Sequence, residues 1–285
     1  VTDRIRLDAF SQLAQGPTLS LTLAPGQSLA VVGPAQSGKT RFLRCLLGQE
    51  RPGQGRAAIG GEVGVPSDAG LSRRATPQVL AKRHAPSGQA QSITDALSST
   101  GLWNLRATSV AELSPTQLAA CELIPVFAAR PDVIVLDGHL ERLDPWTRES
   151  VLEGLQRELQ RGAAVVAATN DLNLLAEFDA VLIMVANRVA FAGTLDELLR
   201  EADESEILVE TTNQEGVRAL VAPFEVSIQS TPDGLLMRAQ EGQAIAAKLL
   251  MEGYGDVRLV TLRPPTLSDA VRAIVHRTRV SLGVN

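Results

Sequence analysis

A chain of 285 residues exceeds the usual span of one domain and has room for one large unit and a smaller second one, each able to bury a core. Hydrophobic residues make up 45% and charged residues 21%, ordinary globular proportions that exclude intrinsic disorder. The formal net charge of -5 excludes a general binder of nucleic-acid backbone, which needs clustered Lys and Arg.

The longest apolar stretches, around Gly162 to Thr169 and Ala180 to Ala186, are too short for a membrane span of roughly 20 residues, and Val1 to Phe10 lacks the pattern of a signal peptide. Any membrane association is therefore expected through a partner. Cys45 and Cys121 have no paired metal or redox spacing, so a disulfide scaffold is not indicated and a reducing cytosol fits. His84 and His276 likewise show no ligand spacing.

In chain order, Ile5 to Phe10, Thr18 to Leu23 and Ser28 to Val32 read as strands, with Pro25-Gly26 and Gly53-Gln54-Gly55 as punctuation. The third strand runs into a glycine loop, and Arg41 to Leu47 then carries helical spacing that ends at Gly48. From about Ser67 to Arg130 strand signals disappear, and Thr76 to His84, Ser92 to Leu102 and Thr116 to Ala129 predict a helical lobe. Strand character returns at Val133 to Leu136 and Ala163 to Ala168, separated by the amphipathic stretch Trp146 to Leu159, as in a βαβ crossover of a parallel sheet.

Past Gly193, the helical stretch Leu195 to Arg200 leads into the acidic run Glu201 to Glu206, which we read as the junction between domains. The remainder predicts strand Ile207 to Glu210, helix Glu215 to Val221, strands Glu225 to Ile228 and Gly234 to Ala239, helix Gln243 to Met251, strand Val257 to Leu262 and helix Leu267 to His276. That order, βαββαβ plus a final helix, is ferredoxin-like.

The chemistry is concentrated at Gly33-Pro34-Ala35-Gln36-Ser37-Gly38-Lys39-Thr40, a G-x-x-x-x-G-K-T phosphate loop set between a strand and a helix. In such a loop successive backbone N–H groups and the helix N-terminus surround phosphate oxygens, Lys reaches the outer phosphates and Thr ligates Mg²⁺. Val133 to Leu136 is an apolar strand ending in Asp137, the arrangement of a Walker B carboxylate that holds Mg²⁺ beside the loop. These two elements together predict binding of ATP and Mg²⁺, with Gly33, Gln36, Ser37, Gly38, Lys39, Thr40 and Asp137 as the contacts and Thr40 and Asp137 on the metal.

The order of Gly33 to Thr40, Leu113-Ser114-Pro115-Thr116-Gln117, Asp137 and Leu143-Asp144-Pro145 resembles that of an ABC ATPase domain over about Ile5 to Arg200. Leu113 to Gln117 stands where that family has its LSGGQ signature, which implies that Ser114 and Gln117 face a partner's nucleotide, and Leu143 to Pro145 is similar to its D-loop. Gly193 to Leu198 and Pro264-Pro265-Thr266-Leu267-Ser268-Asp269-Ala270 are similar to the ending of drug, antibiotic and ion efflux ABC ATPases. The implied fold is an α/β P-loop ABC-type domain over residues 1–203, with parallel core, antiparallel β subdomain and helical lobe at about 67–130, followed by an α+β accessory domain over 204–285.

Several positions depart from the family. Its catalytic Glu is Gly138 here, its switch His is Asn170, and Ser67 takes approximately the place of its Q-loop Gln. Pro115 and Thr116 replace the signature glycines, Gln36 replaces a loop glycine, and Phe10 is the nearest candidate for an adenine stacker. His139 and Glu141 lie near the vacant base position, either as replacements or as a solvated turn, and Arg73, Arg74, Lys82 and Arg83 form a basic face read as solvated or as touching a partner.

The expected protein is the ATP-binding subunit of an ABC exporter, peripheral on the cytoplasmic face and attached to membrane-spanning subunits. Hydrolysis at its own site should be poor, and a heterodimer with a second, more active ATPase subunit is favoured over a homodimer. The alternative is a non-transport ATP-binding regulator or scaffold of the same fold. A P-loop kinase or a chromosome-maintenance ATPase fits less well, because no acceptor site and no long heptad arms are present.

Overall fold

A computed structural model of the chain describes residues 3–67, 71–87, 89–201, 205–253 and 257–283. The chain divides into two compact units, Val1–Leu195 with Thr278–Asn285, and Asp196–Arg277.

The first unit begins with β1 (Ile5–Ser11), β2 (Leu19–Leu23), β3 (Ser28–Val32), α1 (Lys39–Leu46), β4 (Gln54–Ile59) and β5 (Val63–Gly64). The lobe follows as α2 (Pro77–His84), α3 (Ala90–Ser99), α4 (Pro115–Cys121) and α5 (Ile124–Ala129). Then come β6 (Val133–Asp137), α6 (Pro145–Gln160), β7 (Ala164–Thr169), β8 (Ala180–Val185) and β9 (Arg188–Thr194); α7 (Leu195–Arg200) follows, and all of it past Leu195 is counted in the second unit. A six-stranded sheet runs β5-β6-β7-β3-β8-β9, parallel except for the β8–β9 hairpin, and an antiparallel three-stranded sheet runs β2-β1-β4.

Every residue of β3 is buried, because helices or the small sheet cover both faces of a parallel sheet and its strands read as continuous apolar runs. Leu29 and Val31 point into a core with Ile5, Leu7 and Phe10 of β1 and Phe42, Leu43 and Leu46 of α1. In the lobe α3 packs on α5 and α6. No helix among the described residues is long and apolar enough to cross a membrane.

The second unit holds β10 (Ser205–Thr211), α8 (Gln214–Val221), β11 (Ser227–Thr231), β12 (Gly234–Ala239), α9 (Gly242–Glu252), β13 (Val257–Arg263) and α10 (Leu267–Leu282), the last of which extends past its boundary. Its antiparallel sheet runs β11-β12-β10-β13, the strand order of a ferredoxin-like βαββαβ unit, over a core that includes Ile207, Val209, Leu235 and Met237.

Four sequence expectations need correction. Gln54 and Gly55 are strand rather than punctuation, since β4 pairs with β1 across Ser11 and Gln54. Thr116 to Ala129 is two helices: the first ends at Cys121 with Glu122 as its C-cap, Leu123 is the N-cap of the second, and Pro125, which has no N–H to give, sits in the first turn of that second helix. The strand expected at Glu225 to Ile228 is displaced to Ser227–Thr231, and α10 runs six residues beyond His276, to Leu282. Of the acidic junction, residues 202–204 lie outside the described residues, while Ser205 and Glu206 belong to β10.

Candidate functional site

The phosphate loop leaves β3 at Gly33 and ends where α1 begins at Lys39. Gly38 has φ +102, and a Cβ there would lie 2.6 Å from Asn187 Oδ1 and 2.7 Å from Gln12 Oε1, so only glycine fits. Gln36 holds φ 62, the left-handed conformation otherwise given to glycine, so the loop keeps this turn despite the substitution. Two residues not found by sequence reasoning brace the loop from outside: Gln12 Nε2 donates to Gly38 O at 2.9 Å, and Asn187 N donates to Ser37 O at 2.8 Å. Ala186 and Asn187, both at positive φ, form the turn of the β8–β9 hairpin, and a short polar turn after the Ala180 run was the signal for it.

Lys39 Nζ donates to Gly33 O at 2.7 Å and Pro34 O at 3.0 Å, which folds the ammonium over the loop's opening residues. Burial lowers the lysine pKa, and the charges of Glu141 and then Asp137 act against that shift. Both carboxylates therefore lie in the field of the loop lysine. Ser37 Oγ is buried with no hydrogen-bond partner, an unsatisfied polar atom inside the loop.

Strand order sets the rest. β7 lies between β3 and β6, with Val31 opposite Ala168 and Ala168 opposite Asp137, so the loop, the Asn170 turn and Asp137 emerge at the carboxyl ends of three adjacent parallel strands. Asp137 is exposed, and it shares a cavity of about 180 Å³ with Thr40 and His139. His139 Nδ1 accepts from the Asp137 backbone N–H at 3.2 Å, and burial lowers the pKa of this imidazole.

Gly138 has φ 68 and its N–H donates to Ala168 O at 3.0 Å; a Cβ there would meet nothing within 4 Å. Glu141 is neither a solvated turn residue nor unengaged. Its carboxylate accepts from Thr169 Oγ1 at 2.7 Å and from the Asn170 backbone N–H, with Asn170 Nδ2 at 3.5 Å. Three donors on the β7 turn thus hold the Glu141 carboxylate.

Ser114 caps α4 in a reciprocal box: Gln117 N donates to Ser114 Oγ at 3.3 Å, Ser114 N donates to Gln117 Oε1 at 2.9 Å, and Pro115 takes the first helical position, where its missing N–H is harmless. Asp144 caps α6, accepting from Thr147 N at 3.0 Å and Thr147 Oγ1 at 2.7 Å, and these bonds lower its carboxyl pKa. Ser67 N donates to Glu122 O at 2.9 Å. Arg73, Arg74, Lys82 and Arg83 are exposed, the last two in the final turn of α2 where cations complement the helix dipole.

Phe10 is not an adenine stacker. Its side chain is 1% exposed and meets Phe42 edge-on at 5.5 Å inside the core, so it has no face to offer a base. A bulge in β1 between Leu7 and Phe10, with Ala9 at φ 44, interrupts the alternation that buries Ile5 and Leu7 and turns Phe10 inward.

Comparison with known proteins agrees with this geometry. The ABC transporter family model matches residues 17–140. The Fe(3+) ions import ATP-binding protein FbpC of Agrobacterium fabrum is 30% identical over 248 residues, which cover 80% of this chain and 69% of that protein. The chain belongs to the ABC transporter ATP-binding proteins. The zinc import ATP-binding protein ZnuC of Roseobacter denitrificans is 28% identical over 181 residues, covering 62% of this chain and 71% of its own. A solved ATP-binding subunit of an ABC transporter superposes with a TM-score of 0.60 at 18% identity, covering 69% of this chain and 92% of that one, a likeness of fold.

As an ABC ATP-binding subunit, the chain has residues that fit the ligand its family takes. The unsatisfied Ser37 hydroxyl, the glycine-only approach at Gly38 and the cavity shared by Thr40 and Asp137 suit a phosphate chain with a hydrated Mg²⁺, an ion held by one or two protein oxygens plus phosphate and water.

Proposed function

We propose that this ABC transporter subunit binds Mg·ATP at Gly33 to Thr40 and Asp137, dimerises around nucleotide, and drives membrane-spanning subunits from their cytoplasmic face while hydrolysing ATP poorly at its own site. Backbone N–H groups of the loop and the α1 N-terminus receive the phosphates, Lys39 supplies a positive charge, and Thr40 and Asp137 supply metal-ligand oxygens. When bound, Mg²⁺ neutralises charge developing on the phosphate oxygens.

The observation that carries the impaired-site reading is the contrast between an intact loop and Gly138. With no side chain at 138 and Glu141 engaged by Thr169 and Asn170, neither position offers a free carboxylate to take a proton from attacking water. Loss of a general base costs roughly 10²- to 10⁴-fold in rate. Asn170 donates a hydrogen bond to phosphate but cannot become cationic.

A composite site would use this chain's Ser114 and Gln117 opposite a partner's nucleotide, so a heterodimer with an ATPase that retains its Glu makes the assembly active. The relatives named above carry import in their names; export is our reading from the resemblance of Gly193 to Leu198 and Pro264 to Ala270 to efflux ATPases. Phosphate release by the purified chain tests the central point. Turnover near that of ordinary ABC ATPases, abolished by Lys39→Ala, would overturn it; binding of Mg·ATP without turnover supports it.

A second reading, a non-transport regulator of the same fold, draws on the same hydrolytic losses. Affinity purification in mild detergent separates the two: polytopic membrane subunits accompany a transporter subunit and do not accompany a regulator.

A further inference from the structure

The tail segment Pro264 to Ala270 takes part in a second groove, of about 390 Å³, that lies wholly within the second unit. Strand register builds one wall. Glu206 of β10 lies directly opposite Arg238 of β12 on one side and Arg263 of β13 on the other, which makes a row of Arg, Glu and Arg across three strands. Arg238 places Nη2 at 2.9 Å and Nε at 3.1 Å from the same Glu206 oxygen, while Arg263 reaches Glu206 and Asp269 only at 3.7 Å. The α10 wall presents Arg272 and His276, one turn apart, and the Pro264-Pro265 link closes the rim.

The groove's charges do not balance internally. Glu206 serves two guanidiniums, and Asp269 accepts from Thr266 N at 3.0 Å and Thr266 Oγ1 at 2.7 Å as well as standing near Arg263. Arg277 is paired outside the row, with Glu201 at 2.9 Å. Arg272 makes no hydrogen bond or ion pair among the described residues. Arg238, Arg263 and Arg272 thus oppose two carboxylates that are already engaged, and the guanidiniums retain N–H donors in a fixed fork geometry that suits phosphate oxygens. The two hydrogen bonds from Arg238 to Glu206 orient that cation before any ligand arrives, which lowers the entropy lost on binding.

From this arrangement we propose that the second unit binds a small phosphomonoester, its dianionic phosphoryl group held between the Arg238–Arg263 row and Arg272. The proposal is independent of nucleotide binding at the phosphate loop. The test is calorimetric titration of glycerol 3-phosphate into the full chain carrying Lys39→Ala, which removes the loop's ammonium from the measurement. Saturable binding of one equivalent is expected, weakened roughly tenfold or more by Arg272→Gln, the scale of a lost charge-assisted hydrogen bond. Lys82→Ala with Arg83→Ala, equally exposed cations on α2, should leave the affinity unchanged. Absence of saturable heat, or equal weakening by the α2 pair and by Arg272→Gln, overturns the proposal. Circular dichroism of each variant verifies that folding is intact. Sedimentation with phosphatidic acid vesicles distinguishes a lipid headgroup from a free metabolite as the source of the phosphate: binding to vesicles with none to glycerol 3-phosphate overturns the small-molecule assignment.

Discussion

On the proposed reading Gly138 stands where a catalytic carboxylate would be, and the space beside it is open, since a Cβ there would meet nothing within 4 Å. Gly138→Glu is therefore expected to raise phosphate release by roughly 10²-fold or more, the typical contribution of a general base. The φ of 68 imposes a backbone cost of about 1–2 kcal/mol on the new residue, visible as a lower melting temperature. Glu141→Gln separates the two carboxylates: because Glu141 is engaged by Thr169 and Asn170, residual turnover should change less than about 3-fold, far below the loss of a true base. At Gly38 the outcome is opposite. Gly38→Ala forces Gln12 and Asn187 from the loop at a position with φ +102, and Mg·ATP affinity measured by calorimetry should fall by roughly 10-fold or more.

A capped helix start orders the Leu113 to Gln117 segment. Pro115 has no N–H to donate, yet it is favourable as the first residue of α4, where that N–H would be unpaired. Ser114 and Gln117 keep the box that fixes this helix start. Ser114→Ala removes the cap and should lower unfolding stability by about 1 kcal/mol in denaturant titrations. Ser114→Asp keeps the cap but replaces a hydroxyl with an anion, so stability should be retained while nucleotide-dependent association with a partner ATPase, followed by light scattering, is lost. Phe10 follows from the β1 bulge: the irregularity between Leu7 and Phe10 turns this aromatic toward the core, where it packs on Phe42.

Across the molecule, each unit has its own apolar cluster. Leu235 is fully buried with Ile207, Val209 and Met237, so Leu235→Ala should destabilise the second unit by about 2–5 kcal/mol, seen as an earlier transition in calorimetric unfolding. The sequence by itself determined the strand, loop and helix around Gly33 to Thr40, the carboxylate at the end of Val133 to Asp137, and the βαββαβ order of the tail. These depend on local spacing and on glycine geometry that neighbouring residues specify. Only the tertiary structure decided that Gln12 and Asn187 brace the loop, that Glu141 folds onto the β7 turn, that Phe10 is buried, and that Arg238, Glu206 and Arg263 align. Each of these joins residues far apart in the chain through strand order and register, which are set by packing of the whole sheet and have no signature in a local window.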